Sequence, residues 1–224
     1  MKPQNSPLTA LACAALIGSA ALSQAAVITI SDFTDITGAT VSYGVTSPLG
    51  VSISGESAVY LVGTMTLKST VASLGGSFNE ANLGLEAAHN TGFGHGFGND
   101  SIVITRDGTQ ATVVGQTFTQ SVPIAFILKL NQTDGVSTLW VNPNLSSTEA
   151  LNTVSATATI LAVNGSTFDS VIFRGGDFDV DTRVVDYTGF SVHYGGDTPF
   201  SAIPEPSAAL LGGLGLLGLL RRRR

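Results

Sequence analysis

The sequence of 224 residues contains little charge, few aromatic residues and a single cysteine. Charged residues make up 12% of the chain, aromatic residues make up 7%, and the cysteine is Cys13. With 43% hydrophobic residues, so low a charge excludes a chain kept unfolded by its own polarity. Between the two ends no apolar run is long enough to cross a bilayer, which excludes a polytopic membrane protein. The length and composition therefore indicate one globular domain.

Basic residues are scarce in the central part of the chain. The formal net charge is -6, and between Val27 and Ala202 fifteen acidic residues face only five basic ones. A protein that neutralises phosphates needs the opposite balance, so we expect no nucleic acid partner. The acidic exterior suits solubility outside the cell, and it disfavours an anionic polysaccharide unless metal ions bridge the two.

The first 25 residues have the order of a secretory signal peptide. A single cation, Lys2, precedes a mostly apolar run over Leu8–Leu22, and small residues follow it. This order predicts export with cleavage after Ala25, or alternatively after Ala26. The residues before Cys13 also suit a lipoprotein processing site, but too few apolar residues precede them. Because Cys13 lies inside the signal peptide, the mature chain has no cysteine and no disulfide.

Residues 203–224 contain three ordered elements: a Pro-Glu-Pro motif, an apolar run over residues 207–220 and a basic end. The motif is Pro204, Glu205 and Pro206, and the basic end is Arg221, Arg222, Arg223 and Arg224. Together they resemble the PEP-CTERM sorting signal of exported bacterial proteins. The resemblance implies recognition and cleavage by an exosortase, an integral-membrane processing enzyme.

The apolar run is short for a transmembrane helix. Its fourteen residues extend about 21 Å as a helix, whereas the hydrocarbon core is about 30 Å thick. We therefore expect a temporary anchor with the four arginines in the cytoplasm and the preceding domain outside. The expected partners are the secretion machinery, the exosortase and, transiently, the membrane.

Residues 26–202 have the pattern of an antiparallel β-sandwich. Short runs rich in Val, Ile, Thr and Phe alternate with Gly, Asn, Asp and Ser. They predict strands over Val27–Phe33, Thr40–Val45, Val59–Leu67, Ser101–Thr105, Gln110–Val114, Val122–Leu130, Val136–Val141, Val154–Val163, Ser170–Arg174 and Arg183–Tyr194.

Between these strands the sequence predicts two tight hairpin turns, one weak helix and one loop. The turns are 106–109 and 131–135, each with a glycine suited to a positive φ. The helix candidate is Asn79–His89. The loop is 91–98, where glycine alternates with bulkier residues and His95 lies at the tip. No Lys-Ser/Thr follows the glycines, so this is no phosphate-binding loop.

Four segments resemble the concanavalin A-like, laminin-G-like fold. They are Phe97–Asp100 with the hairpin after it, Ala125–Leu130, Ser137–Pro143 and Val185–Val192. The resemblance covers about the second half of the domain and implies a jelly-roll sandwich. Within it, the single tryptophan, Trp140, is predicted to lie in the core rather than on a sugar-binding surface.

The sequence gives little support for catalysis. Enzymes on this type of fold commonly carry Glu-x-Asp-x-Glu on one strand, because glycoside hydrolysis needs two carboxylates across the sugar bond. The glutamates here are dispersed: Glu56, Glu80, Glu86 and Glu149. The histidines His89, His95 and His193 lack zinc-ligand spacing, and no Gly-x-Ser-x-Gly elbow occurs. We therefore expect no enzyme activity.

Three alternating aspartates, Asp177, Asp179 and Asp181, form the one candidate metal site. On a strand they share a face about 7 Å apart, and in a loop they could converge on one Ca²⁺. They do not form an EF-hand, since the sixth position is Thr182 and the twelfth is Thr188. The alternative is a solvated strand edge whose charges discourage edge pairing.

These features predict an exported, non-catalytic protein of the cell surface or extracellular matrix. The alternative is a lectin-like module that binds extracellular polysaccharide, with Ca²⁺ as a conceivable cofactor.

Overall fold

In the computed structural model, the described residues are 25–37, 45–68, 80–85, 88–95, 101–106, 109–159, 167–174 and 184–201. They form thirteen strands and a short 3-10 helix, Glu149–Leu151. The strands are β1 Ala26–Thr29, β2 Phe33–Thr37, β3 Val45–Ser54, β4 Val59–Leu67, β5 Glu80–Leu85, β6 Ala88–His95, β7 Ser101–Arg106, β8 Thr109–Thr117, β9 Ile124–Leu130, β10 Val136–Val141, β11 Ala156–Thr159, β12 Thr167–Arg174 and β13 Val184–Tyr194. Within these ranges no helix combines the length and apolarity needed to cross a bilayer.

The strands form two antiparallel sheets. Sheet A has seven strands in the order β1-β13-β4-β9-β10-β11, with β2 also paired to β13. Sheet B has six strands in the order β3-β12-β5-β6-β7-β8. The predicted all-β, antiparallel fold class is therefore confirmed.

Aromatic side chains join the two sheets face to face. Phe93 of β6 lies against Phe126 of β9, with ring centroids 4.3 Å apart. Phe173 of β12 meets Phe190 of β13 edge to face at 4.8 Å. Each pair links sheet B to sheet A, and all four rings are buried. Burying a side chain of this size stabilises a fold by about 1.5 to 3 kcal/mol, so these rings are the centre of the sandwich.

Both predicted hairpins join the strands that the sequence indicated. Arg106 pairs with Thr109 at the end of the β7–β8 ladder, and the turn residues 107–108 lie outside the described ranges. In the β9–β10 turn, Gly135 has a φ of 74° and donates a backbone hydrogen bond to Asn131. The predicted need for glycine in this turn is confirmed, because this φ is strained for other residues.

The helix predicted over Asn79–His89 is wrong. Residues 80–85 form β5, which pairs with β12 and β6, and residues 88–89 belong to β6. Ala81 is fully buried opposite Phe173. The segment alternates Ala81, Leu83 and Leu85 with polar or small residues, which is the period of a strand. Pairing on both sides of β5 outweighs its weak helix propensity.

The loop predicted over residues 91–98 is also wrong for residues 91–95, which belong to strand β6. Residues 96–98 lie outside the described ranges. β6 continues to His95, with Phe93 buried between Phe126 and Phe190. Gly92 and Gly94 are the neighbours of Phe93 in the strand, so the alternation of glycine with phenylalanine is a strand pattern.

β3 is a further strand that the sequence patterns largely missed. A strand was predicted over Thr40–Val45, but β3 runs from Val45 to Ser54, and residues 40–44 lie outside the described ranges. It contains Pro48 and Gly50, which weaken a strand prediction. β3 lies at the edge of sheet B, where the missing N–H of proline is tolerated.

Candidate functional site

A second, smaller cluster of buried side chains lies on the face of sheet A that points away from the main core. Successive residues of a strand face opposite sides, so β4, β9 and β10 turn Leu61, Leu128 and Leu139 inward. Their neighbours form what we call the outer cluster: Tyr60, Ile127, Trp140 and Phe200. The predicted burial of Trp140 is confirmed, since it is 2% exposed, but it is buried in the outer cluster.

Two loops cover the outer cluster, one over residues 142–155 and one over residues 195–201. The second loop places Phe200 edge to face against Trp140, at 5.2 Å between ring centroids. The backbone N–H of Ser201 donates to the carbonyl oxygens of Leu145, at 3.2 Å, and Ser147, at 3.1 Å. These hydrogen bonds hold the two loops together over sheet A.

A cleft of about 560 Å³ opens between these loops. Its apolar lining includes Tyr60, Trp140 and Phe200. Its polar lining includes Thr148, Glu149, Asn152, Thr198 and Ser201. Small-molecule sites in proteins are clefts of about 300 to 1,000 Å³ with this combination of aromatic and polar groups.

Glu149 connects the cleft to sheet A through two hydrogen bonds. Its Oε2 accepts a hydrogen bond of 2.7 Å from the Tyr60 hydroxyl, and its Oε1 accepts one of 2.8 Å from the Lys129 ammonium. The Lys129 ammonium also lies 5.5 Å from the centroid of the Tyr60 ring, within cation–π range. The negative charge of Glu149 is therefore neutralised locally by a lysine.

This arrangement shifts the protonation of two of its members. Burial raises the pKa of the Tyr60 phenol, and its hydrogen bond to Glu149 raises it further. Burial lowers the pKa of Lys129, but the hydrogen bond to Glu149 and the nearby negative charges outweigh it, so that the pKa is raised overall. At neutral pH the Tyr60 phenol of the cleft is therefore neutral, and the Lys129 ammonium that is paired with Glu149 is charged.

Trp140, which lines the cleft, has a buried indole nitrogen without a hydrogen-bond partner among the described residues. Nε1 is buried, and none of the described residues accepts a hydrogen bond from it. A buried donor without an acceptor costs about 1 to 3 kcal/mol relative to a satisfied one. A group that could accept this hydrogen bond would recover part of that cost.

A chain of three polar side chains lies beside the cleft. The oxygen Ser191 Oγ is 3.1 Å from His193 Nε2, and His193 Nδ1 is 2.6 Å from Asp197 Oδ2. β13 supplies the first two, and the turn after it brings back Asp197. Since His193 pairs with Tyr60 across β13 and β4, this chain borders the outer cluster.

The Ser191, His193 and Asp197 contacts follow the order of a serine hydrolase triad, but the backbone around Ser191 does not suit one. Acyl transfer also needs free donors for the developing oxyanion. Ser191 pairs with Thr29 of β1 on one side and with Val62 of β4 on the other. A strand paired on both sides uses its N–H groups in the two ladders.

The structure describes two of the residues that the sequence predicted to be functional sites. Ala25 is exposed just before β1, and Ala26 is its first residue, opposite Tyr194 of β13. The Pro204–Pro206 motif, the Arg221–Arg224 end and the three aspartates 177, 179 and 181 lie outside the described ranges. Within those ranges no group of three or more His, Cys, Asp or Glu side chains could hold a metal ion.

Sequence comparison identifies one family model. Residues 202–224 match the PEP-CTERM protein-sorting motif, which confirms the resemblance predicted for residues 203–224. No curated protein matches the chain.

Similar solved structures are distant in sequence. An alginate lyase from Corynebacterium sp. has a TM-score of 0.45 and 13% identity over 64% of this chain and 62% of the lyase. Sheep galectin-11, in complex with glycerol, has a TM-score of 0.41 and 13% identity over 68% of this chain and 98% of the galectin. This chain aligns with only 20% of a Trypanosoma rangeli sialidase, at a TM-score of 0.42 and 16% identity over 62% of its own length. At such distances none of these proteins assigns an activity to this chain.

Proposed function

We propose that the protein is exported, sorted by an exosortase and delivered to the cell surface or extracellular matrix, where it acts without catalysis. The observation that carries this proposal is the PEP-CTERM protein-sorting motif at residues 202–224. In this proposal residues 1–25 are a signal peptide, residues 26–202 the exported domain and residues 203–224 the sorting signal. The sandwich of the exported domain is a jelly roll of the concanavalin A-like type.

The sorting signal acts as a temporary anchor. Pro204, Glu205 and Pro206 are recognised outside the membrane, residues 207–220 form a short membrane helix, and the four terminal arginines stay in the cytoplasm. Cleavage by the exosortase then separates the β-sandwich from the helix. The hydrogen bonds of Ser201 support this arrangement, because they attach the chain to Leu145 and Ser147 of the sandwich three residues before Pro204.

Two features of the outer face support a non-catalytic role. Glu149 is the one carboxylate among the described residues that line the cleft, whereas glycoside hydrolysis uses a pair. Ser191 lies in a strand that is paired on both sides, so the ladders use the backbone N–H groups that an oxyanion beside it would need.

A lectin-like, glycan-binding role is the second candidate, and the cleft is the observation that favours it. Three aromatic rings and several polar side chains line it, as in many sugar-binding sites. Ca²⁺ held by Asp177, Asp179 and Asp181 would be a separate contribution to this role.

Replacing Pro204, Glu205 and Pro206 by alanine tests the sorting route. We expect the variant to remain in the membrane fraction at full length, while the wild-type protein is released from its helix. Pro199→Ala is the matched control, because it removes a proline just before the motif and should leave processing unchanged. Normal processing of the triple-alanine variant would contradict the proposal.

A further inference from the structure

The cleft on the outer face of sheet A combines two kinds of surface that sugars require together. Tyr60 and Phe200 are each 4% exposed, and the exposed parts of their rings give the cleft an apolar wall that the C–H groups of a pyranose can contact. Thr148 and Thr198 supply hydroxyl groups that can exchange hydrogen bonds with sugar hydroxyls, and the Asn152 Oδ1, which accepts from the Asn144 N–H, can accept a second hydrogen bond. An uncharged ligand that carries both C–H faces and hydroxyl groups can use both parts of this lining.

The buried indole of Trp140 is an independent sign of a missing partner. It lines the cleft, it is 2% exposed, and its Nε1 has no acceptor among the described residues. An indole N–H is a donor only, so its partner must bring an acceptor oxygen. A sugar hydroxyl or ring oxygen meets this requirement.

The charges around the cleft indicate that the ligand is neutral. Glu149 is already paired with Lys129 and Tyr60, and the positive charge of Lys129 offsets the attraction of Glu149 for a cation. Fifteen acidic residues against five basic ones over residues 27–202 would repel a polyanion. A uronate or sulfated sugar is therefore disfavoured.

We propose that this cleft binds one uncharged saccharide unit, and that it does so without Ca²⁺. The proposal rests on the exported location proposed above, where extracellular glycans are present. The rings of Tyr60 and Phe200 pack against the sugar, and a shift of Phe200 opens the path from the sugar to the Trp140 N–H. Because a single sugar offers few atoms for contact, its affinity is in the millimolar range.

Trp140 allows a direct test, because it is the only tryptophan in the chain. The full chain, held in a sugar-free detergent such as lauryl dimethylamine oxide, is titrated with glucose, galactose, mannose, N-acetylglucosamine and xylose while its fluorescence is recorded. We expect a saturable change in emission with at least one of these sugars, equal in Ca²⁺ and in chelator. Glucuronate should bind at least tenfold more weakly than glucose if glucose is the sugar that binds.

A matched pair of variants locates the site. Ala150 lines the cleft, and Ala150→Phe should fill it and abolish the fluorescence change. Leu151 is its neighbour, 77% exposed and not in the lining, so Leu151→Phe should bind like the wild type. Melting temperatures of both variants confirm that the fold is kept.

Three results would overturn the proposal: no saturable change with any sugar of the panel, equal binding by Ala150→Phe, or loss of binding in chelator. None of them bears on sorting, which the alanine replacement of residues 204–206 measures separately. Failure of sorting with intact sugar binding would instead overturn the proposed route.

Discussion

Gly63 has no side chain, and this leaves room for the ring of Phe190. It lies in β4 opposite the bulge of β13, where the register shifts between Thr188 and Ser191. A Cβ at position 63 would lie closer than 3.0 Å to the ring of Phe190, and ordinary Cβ atoms do not approach so closely. Gly63→Ala therefore forces the ring to move.

The expected loss of stability follows from how tightly that ring is enclosed. Phe190 is 1% exposed and contacts Phe93, Phe173 and Tyr187, with centroid distances of 5.9, 4.8 and 6.0 Å. Overpacking usually costs about 1 to 3 kcal/mol, and the surrounding rings leave little room for relaxation, so we expect about 3 kcal/mol. For a domain of this size that lowers the melting temperature by about 6 to 12 °C.

Thermal unfolding followed by far-ultraviolet circular dichroism measures the effect. Phe190→Leu, introduced into the Gly63→Ala background, removes the ring edge and should cost less there than in the wild type. This favourable coupling is the signature of a steric conflict between the two positions. A Gly63→Ala variant that melts with the wild type, or two strictly additive effects, would refute the reasoning.

Three further predictions concern ionisation, reactivity and calcium. Folding raises the pKa of Tyr60 above 10.0 and the pKa of Lys129 above 10.5. The two groups therefore stabilise the fold at a pH below their unfolded-state pKa values, and this stabilisation is lost as the pH rises through their folded-state pKa values. Urea unfolding should therefore show a steeper loss of stability above about pH 10 in the wild type than in Tyr60→Phe, and equal slopes would contradict the contacts with Glu149. A fluorophosphonate probe should leave Ser191 unmodified, whereas labelling that disappears in Ser191→Ala would contradict a non-catalytic role. If the aspartates 177, 179 and 181 bind Ca²⁺ with a Kd of about 10⁻⁴ M, millimolar Ca²⁺ stabilises the fold by about 1.4 kcal/mol and raises the melting temperature by about 3 to 6 °C. The double variant Asp179→Asn, Asp181→Asn should lose this shift, and identical melting of the wild type in chelator and Ca²⁺ would show that the aspartates are surface charge.

The alternation of apolar residues was sufficient to predict the strands of sheet A except β2, because the strand predicted over Val27–Phe33 ends at the residue where β2 begins. Val59–Leu67 and Val136–Val141 have the predicted bounds, because each strand presents β-branched and aromatic residues at a clear period of two. The strands of sheet B were harder to predict from the sequence. β3 contains a proline that only an edge position explains, and β6 alternates phenylalanine with glycine, which resembles a loop when the pairing partners are unknown.

The cleft could not be predicted from sequence, because its residues come together only through long-range contacts. Tyr60 and Glu149 are 89 positions apart, and Glu149 was one of four dispersed glutamates between residues 27 and 202. A period of two places Trp140 and Leu139 on opposite faces of the sheet, but it does not predict which face the loops cover. The spacing of Ser191 and His193 on one strand was visible, whereas the return of Asp197 depends on the turn at Gly195 and Gly196.

The intact mass of the protein recovered from the cell surface or the medium tests the central claim most directly. The account predicts a chain that begins at Ala26, or at Val27 for the alternative cleavage, and that lacks Arg221–Arg224. Such a mass would show that both ends are processed, as export followed by exosortase cleavage requires. A recovered chain that still carries residues 1–25, or that ends at Arg224, would contradict the account.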